Sequence, residues 1–599
     1  MIYHCEDHTC NYWDEGEKLP ERCPQCGRKL LRANEADMTG DDWTALGNTL
    51  WDAEASDKKR MVDCFRKAAY LGSAWGVCNL GICMEQGNGV EADPVQAFWL
   101  YQQAVEMGSL NAVCCLGVCY QYGIGTAPDA EKAAELYCKA AEYGSPRGQM
   151  LLARAFHDGI GVEADAAEAV YWVRAAAYQR YGEGMHRLGV CYEYGDGVEQ
   201  NWEHAVHWFR EAAESGVGVA MTDLGYCYEK GCGVEQSWEQ AFSWYRRGAE
   251  CGDPVSMCNL GLCYKMGHGV EQNWQEAIKW YEQGAQCGNL QSMNNLAYCY
   301  EHGEGVEQNE DRALYWYRRS AEGGNGDAMC NLGWCYKRGY GVEQNLQEAV
   351  KWYEQGAQCG NLQSMHNLAC CYEHGEGVEQ NMTEAIRWYT AAAEGGNADD
   401  MYELGWQYDH GEGVEQDMKK AICWYERAAE QNHPAAMNSL GECYAMGRGV
   451  PRDLETAMEW YRRAAELGEA MADYNMGWHL EQAGKLSEAY THYRKAADGN
   501  DDSAWWALGR FYENGVVVAQ DGKEARRCYE TGEKLGSVKC KMRLARCKLL
   551  GIGGRRAKKA GLDLCRQALE LAKESSEKED YGYEAEMNLL RRTIAENES

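Results

Sequence analysis

Proline is scarce in this chain: 8 residues in 599. Little therefore interrupts a helix from inside, which is what proline does best. Positive charge is also in short supply, with 59 lysines and arginines against 93 aspartates and glutamates, a net charge of −34. That surplus argues against a protein built mainly to hold nucleic acid or an anionic membrane. No apolar run reaches the roughly 18 residues that a membrane-crossing helix needs. Met1 to Cys10 contains no basic stretch leading into an apolar run, so no secretory leader is expected and the chain is placed in the cytoplasm. Catalytic signatures are missing too. There is no Gly-x-Ser-x-Gly, no phosphate loop ending in Lys-Ser/Thr and no His-Glu-x-x-His. The expectation is a protein that is not an enzyme and holds no nucleotide cofactor.

What is present is a unit that returns. Residues 273–308 and 345–380 differ at four places only: Trp274/Leu346, Ile278/Val350, Asn294/His366 and Tyr298/Cys370. A Leu-Gly or its equivalent marks each copy, at Leu46, Leu80, Leu116, Leu152, Leu188, Leu224, Leu260, Leu296, Leu332, Leu368, Leu404, Leu440, Met476, Leu508 and Leu544, mostly 36 residues apart. A fixed period of this length means stacked repeats, and overrides any domain count based on length.

The 30 cysteines follow the same period. Nine occupy one repeat position, Leu-Gly-x-Cys-Tyr or a close variant: Cys83, Cys119, Cys191, Cys227, Cys263, Cys299, Cys335, Cys371 and Cys443. One site stamped many times reads as a small buried side chain, with the thiol reduced. Cys251 and Cys258 have the spacing of a bridge within a repeat. Cys287 and Cys359 face Asn294 and His366 at that spacing instead. Missing partners point to free thiols in a reducing compartment.

Within a copy, Met329, Leu332, Gly333 and Tyr336 recur at three- and four-residue steps, one face of a first helix that Gly339 ends. A short loop follows, with Val342 set to plug it onto the core. A second helix starts at Asn345, which pairs with Glu348 in a capping pattern that Asn273/Glu276 and Asn381/Glu384 repeat. Its inner face is Ala349, Trp352, Tyr353 and Ala357. Small residues opposite large ones let two antiparallel helices approach closely. His302, His374 and His410 share one position at the end of the first helix, where a ring meets terminal carbonyls.

The pattern Leu-Gly-x-x-Tyr, Gly-x-Gly-Val and Ala-x-x-Trp-Tyr-x-x-Ala-Ala-Glu-x-Gly resembles the Sel-one-like repeat (SLR) family, kin of the tetratricopeptide repeats, over roughly residues 40–575. The resemblance implies an all-α fold: a right-handed superhelical α-solenoid of about 14–15 antiparallel helix-hairpin repeats with the first helix of each copy on the concave side. It also implies a scaffold or adaptor for a protein or peptide partner. Some bacterial relatives are secreted and disulfide-stapled, which this chain does not resemble.

Residues 1–34 stand outside the repeat. Cys5 and Cys10 form one hook, Cys23 and Cys26 another, and Cys-Pro-Gln-Cys-Gly is a zinc-knuckle pattern. His4 or His8 offers an alternative ligand for the first hook. The segment resembles a small zinc ribbon, and structural Zn2+ on these four cysteines would supply its folding energy. A cysteine-rich leader without fixed structure is the other reading. The solenoid is assigned residues 35–574, with a short copy at 476–507 that lacks the Gly-x-Gly-Val loop, and 575–599 a capping helix. The copy at Leu152 is degenerate, carrying Ala153, Arg154 and Phe156. The stretch 523–559 is locally basic, and with the zinc ribbon it carries the alternative reading, a nucleic-acid-associated regulator. For the docking reading, Asn79, Asn259, Asn295, Asn331 and Asn367 precede the marker and form a line suited to holding an extended peptide. The opposing reading gives these amides to a neighbouring helix. The acidic loops, Gly-Val-Glu-Gln and Gly-Glu-Gly, read as a solvated edge that keeps the array monomeric, or as a field that steers a basic partner.

Overall fold

A computed structural model describes residues 2–5, 13–15, 30–33, 38–51, 55–578 and 584–598. At the N-terminus β1 (Ile2–Cys5), β2 (Trp13–Glu15) and β3 (Leu30–Ala33) form an antiparallel sheet in the order β2-β1-β3, with Ile2 opposite both Glu15 and Ala33. The expected zinc ligands Cys10, Cys23 and Cys26 lie outside the described residues, as does the side chain of Cys5.

From Gly40 onward the fold is helical, with 31 helices among the described residues. They pair in sequence into antiparallel hairpins from Gly40–Thr49/Ala55–Tyr70 to Val538–Leu550/Lys558–Lys578, and Glu584–Glu598 stands alone at the end. The first helix of a pair is called A here and the second B. The hairpins group into two compact units, Met1–Trp316 and Tyr317–Ser599.

One copy explains the rest. Helix A Gly326–Arg338 ends at Gly339, whose φ of 73° is the left-handed turn that glycine takes without strain. Helix B Leu346–Gln358 starts on Asn345, whose side-chain oxygen accepts the Glu348 N–H at 3.0 Å. Asn273 and Asn381 do the same for Glu276 and Glu384. Tyr353 is buried against Gly333, where a Cβ would sit 2.6 Å from its ring. The marker glycine is thus the space that a helix-B ring needs. Gly117 and Tyr137, Gly225 and Tyr245, and Gly441 and Tyr461 repeat the fit. In several copies the phenol also has a partner. Tyr101 donates to Glu85 at 2.6 Å, Tyr245 to Glu229 at 2.9 Å and Tyr389 to Glu373 at 2.6 Å, each acceptor lying 16 residues earlier on helix A. A buried hydroxyl without such a bond would be costly.

Two further devices repeat. The second loop glycine lies against the start of the preceding helix B: a Cβ on Gly377 would meet the Leu346 carbonyl at 2.4 Å. The Gln of Gly-Val-Glu-Gln folds back, with Gln344 donating to the Lys337 carbonyl at 2.8 Å and Gln380 to that of Glu373 at 2.8 Å. These carbonyls near the helix end would otherwise lack a partner. All nine cysteines of the Leu-Gly-x-Cys-Tyr position are buried and free, as is Cys547 at the same place in the last copy. Cys251 is exposed while Cys258 is buried, both as free thiols. His302, His374 and His410 each place Nδ1 2.9–3.1 Å from the carbonyl four residues back, where the ring donates to the helix end. The short copy turns through Ala483 and Gly484 (φ 77°) with no longer loop.

Candidate functional site

The residues that face outward on helix A lie at the positions before, two after and six after the marker. In the first unit they include Tyr226, Leu262 and Tyr298; Lys265 sits 4.3 Å over the Tyr298 ring, and His302 stacks on it at 4.1 Å. In the second unit Trp334, Trp406 and Trp478 take the position two after the marker in every other copy. Trp334 and Trp478 are 37% and 40% exposed, and Trp406 is stacked on His410 at 4.4 Å. Large aromatics left open at regular spacing are what docking surfaces are made of.

The asparagines expected to hold a peptide share this face, and in Asn79, Asn295 and Asn367 the amide donor turns to the preceding copy. Asn79 is buried and donates to Asn48 Oδ1 at 2.8 Å. Asn295 approaches Cys258 Sγ at 3.7 Å and Asn367 approaches Cys330 Sγ at 3.4 Å. Asn259 and Asn331 are half-buried. Asn475, which the sequence reading passed over because its marker is Met476, donates to Asn438 Oδ1 at 3.0 Å and Glu442 Oε1 at 3.1 Å. For Asn79, Asn295, Asn367 and Asn475 the partners are side chains of the neighbouring A helix and not its backbone.

The degenerate copy holds a cavity of about 340 Å³. Val173 stands where neighbouring copies bury Tyr137 or Phe209, and Ala153 stands where they have glycine. The missing ring leaves a floor of Met150, Ala153, Val170, Val173 and Cys191. Burial pushes the Cys191 thiol up to about 11, so it lines the floor uncharged. Around the mouth, His157 reaches Asp158 at 2.7 Å and Asp196 at 3.2 Å, while Arg154 and Arg187 approach those carboxylates at 3.4 and 3.7 Å. The His157 bond holds the Asp158 carboxyl below its ordinary range. An apolar floor under a ring of paired charges suits a side chain inserted from outside.

Part of the basic stretch 523–559 is engaged inside the second unit, while Lys523, Lys534, Arg555, Lys558 and Lys559 stay exposed. Arg543 bridges Glu586 at 2.6 Å and Glu513 at 3.4 Å, and Arg546 pairs with Glu513. Arg526 meets Glu530 at 2.9 Å, and Arg556 donates to Asn597 at 2.6 Å. Lys539 is half-buried beside Trp506. The sequence count of charges missed this because Glu513, Glu586 and Asn597 lie outside the stretch counted. No group of three or more metal-ligating side chains occurs among the described residues. No described helix is long and apolar enough to cross a membrane.

Stacked antiparallel hairpins with a periodic outward face define a helix-hairpin repeat protein. Thirteen segments match the Sel1 repeat, from residues 76–109 through 504–537 without a large gap, and the chain belongs to the Sel1 repeat family. Among solved structures it is similar to c5321, a protective antigen of uropathogenic Escherichia coli strains displaying an SLR fold. Identity is 33% over 75% of this chain and 97% of that one, with a TM-score of 0.49. A Sel1 repeat protein from Oxalobacter formigenes is 34% identical over 41% of this chain and 96% of its own, with a TM-score of 0.38. None of the curated proteins compared with the chain matches it.

Proposed function

We propose that this protein is a non-enzymatic scaffold that binds a protein or peptide partner along the outward face of its A helices. The cavity beside Val173 carries the reading. The repeat buries a large ring at this place in neighbouring copies, and here leaves the room open beside two A helices of the first unit; in the second unit Trp334, Trp406 and Trp478 stand on the outward face of their own A helices. The A helices would line the inner side of a right-handed winding in each unit, as in the family it resembles. Structural Zn2+ on Cys5, Cys10, Cys23 and Cys26 belongs to the same proposal, as does a reducing, cytoplasmic setting, which the many buried free thiols favour. The asparagine line is assigned to stacking first, with its carbonyl oxygens left for a partner.

The test is an affinity capture with three baits: the wild type, Val173→Tyr, and the triple Trp334/Trp406/Trp478→Ala variant. Val173→Tyr fills the cavity. Tyr389 beside Ala369 shows that an alanine at the marker tolerates the ring, so this variant should melt no lower than wild type and about 1 kcal/mol more stably. Both variants are expected to lose partners that the wild type retains. Identical capture by all three baits would remove the A-helix face as the docking surface.

A further inference from the structure

Three departures from the repeat meet at one place in the second unit. Cys370 stands two after its marker, where the twin copy has Tyr298. His366 stands two before it, where the twin has Asn294. These are two of the four differences between blocks otherwise identical over 36 residues. The third is Asp400, on the next A helix. In the copies from Gly76 to Cys540 its position otherwise holds only Gly, Ala, Ser or Cys.

The geometry joins them in line. His366 and Cys370 are four residues apart on helix Leu362–His374 and so share a face. His366 Nδ1 lies 2.7 Å from Asp400 Oδ1, and its Nε2 lies 3.6 Å from Cys370 Sγ. Asp400 is wholly buried and its Oδ2 has no partner. A buried carboxylate in a slot shaped for a methyl group is destabilising unless the charge is used. We propose that Cys370, His366 and Asp400 form a nucleophilic thiol site that takes up small disulfides by thiol–disulfide exchange.

The roles follow from the contacts. Asp400 fixes the ring so that Nε2 faces the sulfur, which makes it a positioning residue. Its hydrogen bond, then that of Cys370, raises the His366 imidazole to about 10, so the ring is cationic at neutral pH. A cation beside a thiol favours the thiolate, the reacting form. Opposing groups face the same space. Glu373 lies behind Tyr389, whose oxygen is 3.3 Å from the sulfur and which donates to Glu373 at 2.6 Å. Glu403 and Asp399 flank Asp400. Burial raises the Glu403 carboxyl, which weakens its opposition.

In the reaction Cys370 Sγ attacks one sulfur of a disulfide. The new sulfur–sulfur bond forms as the old one breaks, and the leaving thiolate takes the proton from His366 Nε2. The products are a mixed disulfide on Cys370, one free thiol and a neutral imidazole. No other oxidant enters. Cys370 is half-buried, whereas Cys287, Cys359 and Cys423 are exposed and serve as standards inside the same molecule.

The experiment treats the full chain with bis(2-hydroxyethyl) disulfide, a neutral probe indifferent to the net charge of −34. Quenched samples are mapped by mass spectrometry between about pH 6 and 9. At pH 6.5 Cys370 is expected to react about five- to tenfold faster than the exposed cysteines, because the His366 ring stands beside its sulfur and gives the leaving thiolate a proton. His366→Asn restores the residue of the twin copy, so the fold is kept. It should slow Cys370 to the level of the standards and move its pH profile to that of an ordinary thiol. Asp400→Asn should move the profile in the same direction by less. A Cys370 rate at pH 6.5 no higher than that of Cys359, or a profile unchanged by His366→Asn, overturns the site. Neither outcome touches the docking reading, which rests on the Trp and Val173 variants.

Discussion

At the scale of single residues, the repeat works by pairing a space with the group that fills it. Gly333 is small because Tyr353 is large, and Glu229 is acidic because Tyr245 brings a buried hydroxyl. Breaks in these pairs are therefore informative. His366 is one, and it carries a pH dependence. Its folded value is raised from 6.5 to about 10, chiefly by the hydrogen bond to Asp400 and then by Cys370. A group raised on folding stabilises the fold fully below its unfolded value, and that contribution is lost as pH rises through the folded value. Urea unfolding of the wild type and His366→Asn should show a clear stability gap at about pH 6.5 that closes by about pH 10.5. A gap that widens with pH would mean that the ring is held neutral. Part of this site was visible beforehand, since the twin blocks differ at His366 and Cys370. Asp400 was not, because its meeting with His366 depends on how two A helices of successive copies pack.

At the scale of elements, the hairpin was legible nearly to the residue. The stop at Gly339 and the cap at Asn345 stand where periodicity and cap chemistry put them. The Gln of the loop was read as part of an acidic edge, and its real task appeared only when Gln344 was seen to close on the Lys337 carbonyl. Side-chain to backbone bonds across a loop leave no periodic trace. The same loop contains one poorly matched residue. Val517 takes the place of the second loop glycine and adopts a φ of 66°, where a β-branched residue is strained by about 1–2 kcal/mol. It is about half exposed, so little packing depends on it. Val517→Gly should therefore stabilise the copy by about 0.5–1 kcal/mol, the strain relief exceeding the added freedom of the unfolded chain. Chemical denaturation followed by tryptophan fluorescence would register it, and a loss of stability would show that the Val517 side chain is needed where it stands.

At the scale of the whole chain, the fold class was written in the period, while the fate of the basic stretch was not. Charge counting treats 523–559 as a surface. Packing treats Arg543 as the centre of a cluster that draws Glu513 from one side and Glu586 from the other. Glu586 lies on the last helix, Glu584–Glu598, whose Met587 and Leu590 cover Met542, Leu549 and Cys565. That helix hides the face that the final hairpin would otherwise expose, as the end of any stack requires. In such a stack each hairpin is held by its neighbours alone, so damage at one end should stay there. Ending the chain at 578 removes the helix, leaves Arg543 without its 2.6 Å partner and uncovers that apolar cluster. Hydrogen exchange read by mass spectrometry should then quicken over about residues 502–578 and remain unchanged over 74–300. Quickening of equal size in both regions would mean that the hairpins fold as one cooperative body and that stability is not summed from neighbour to neighbour.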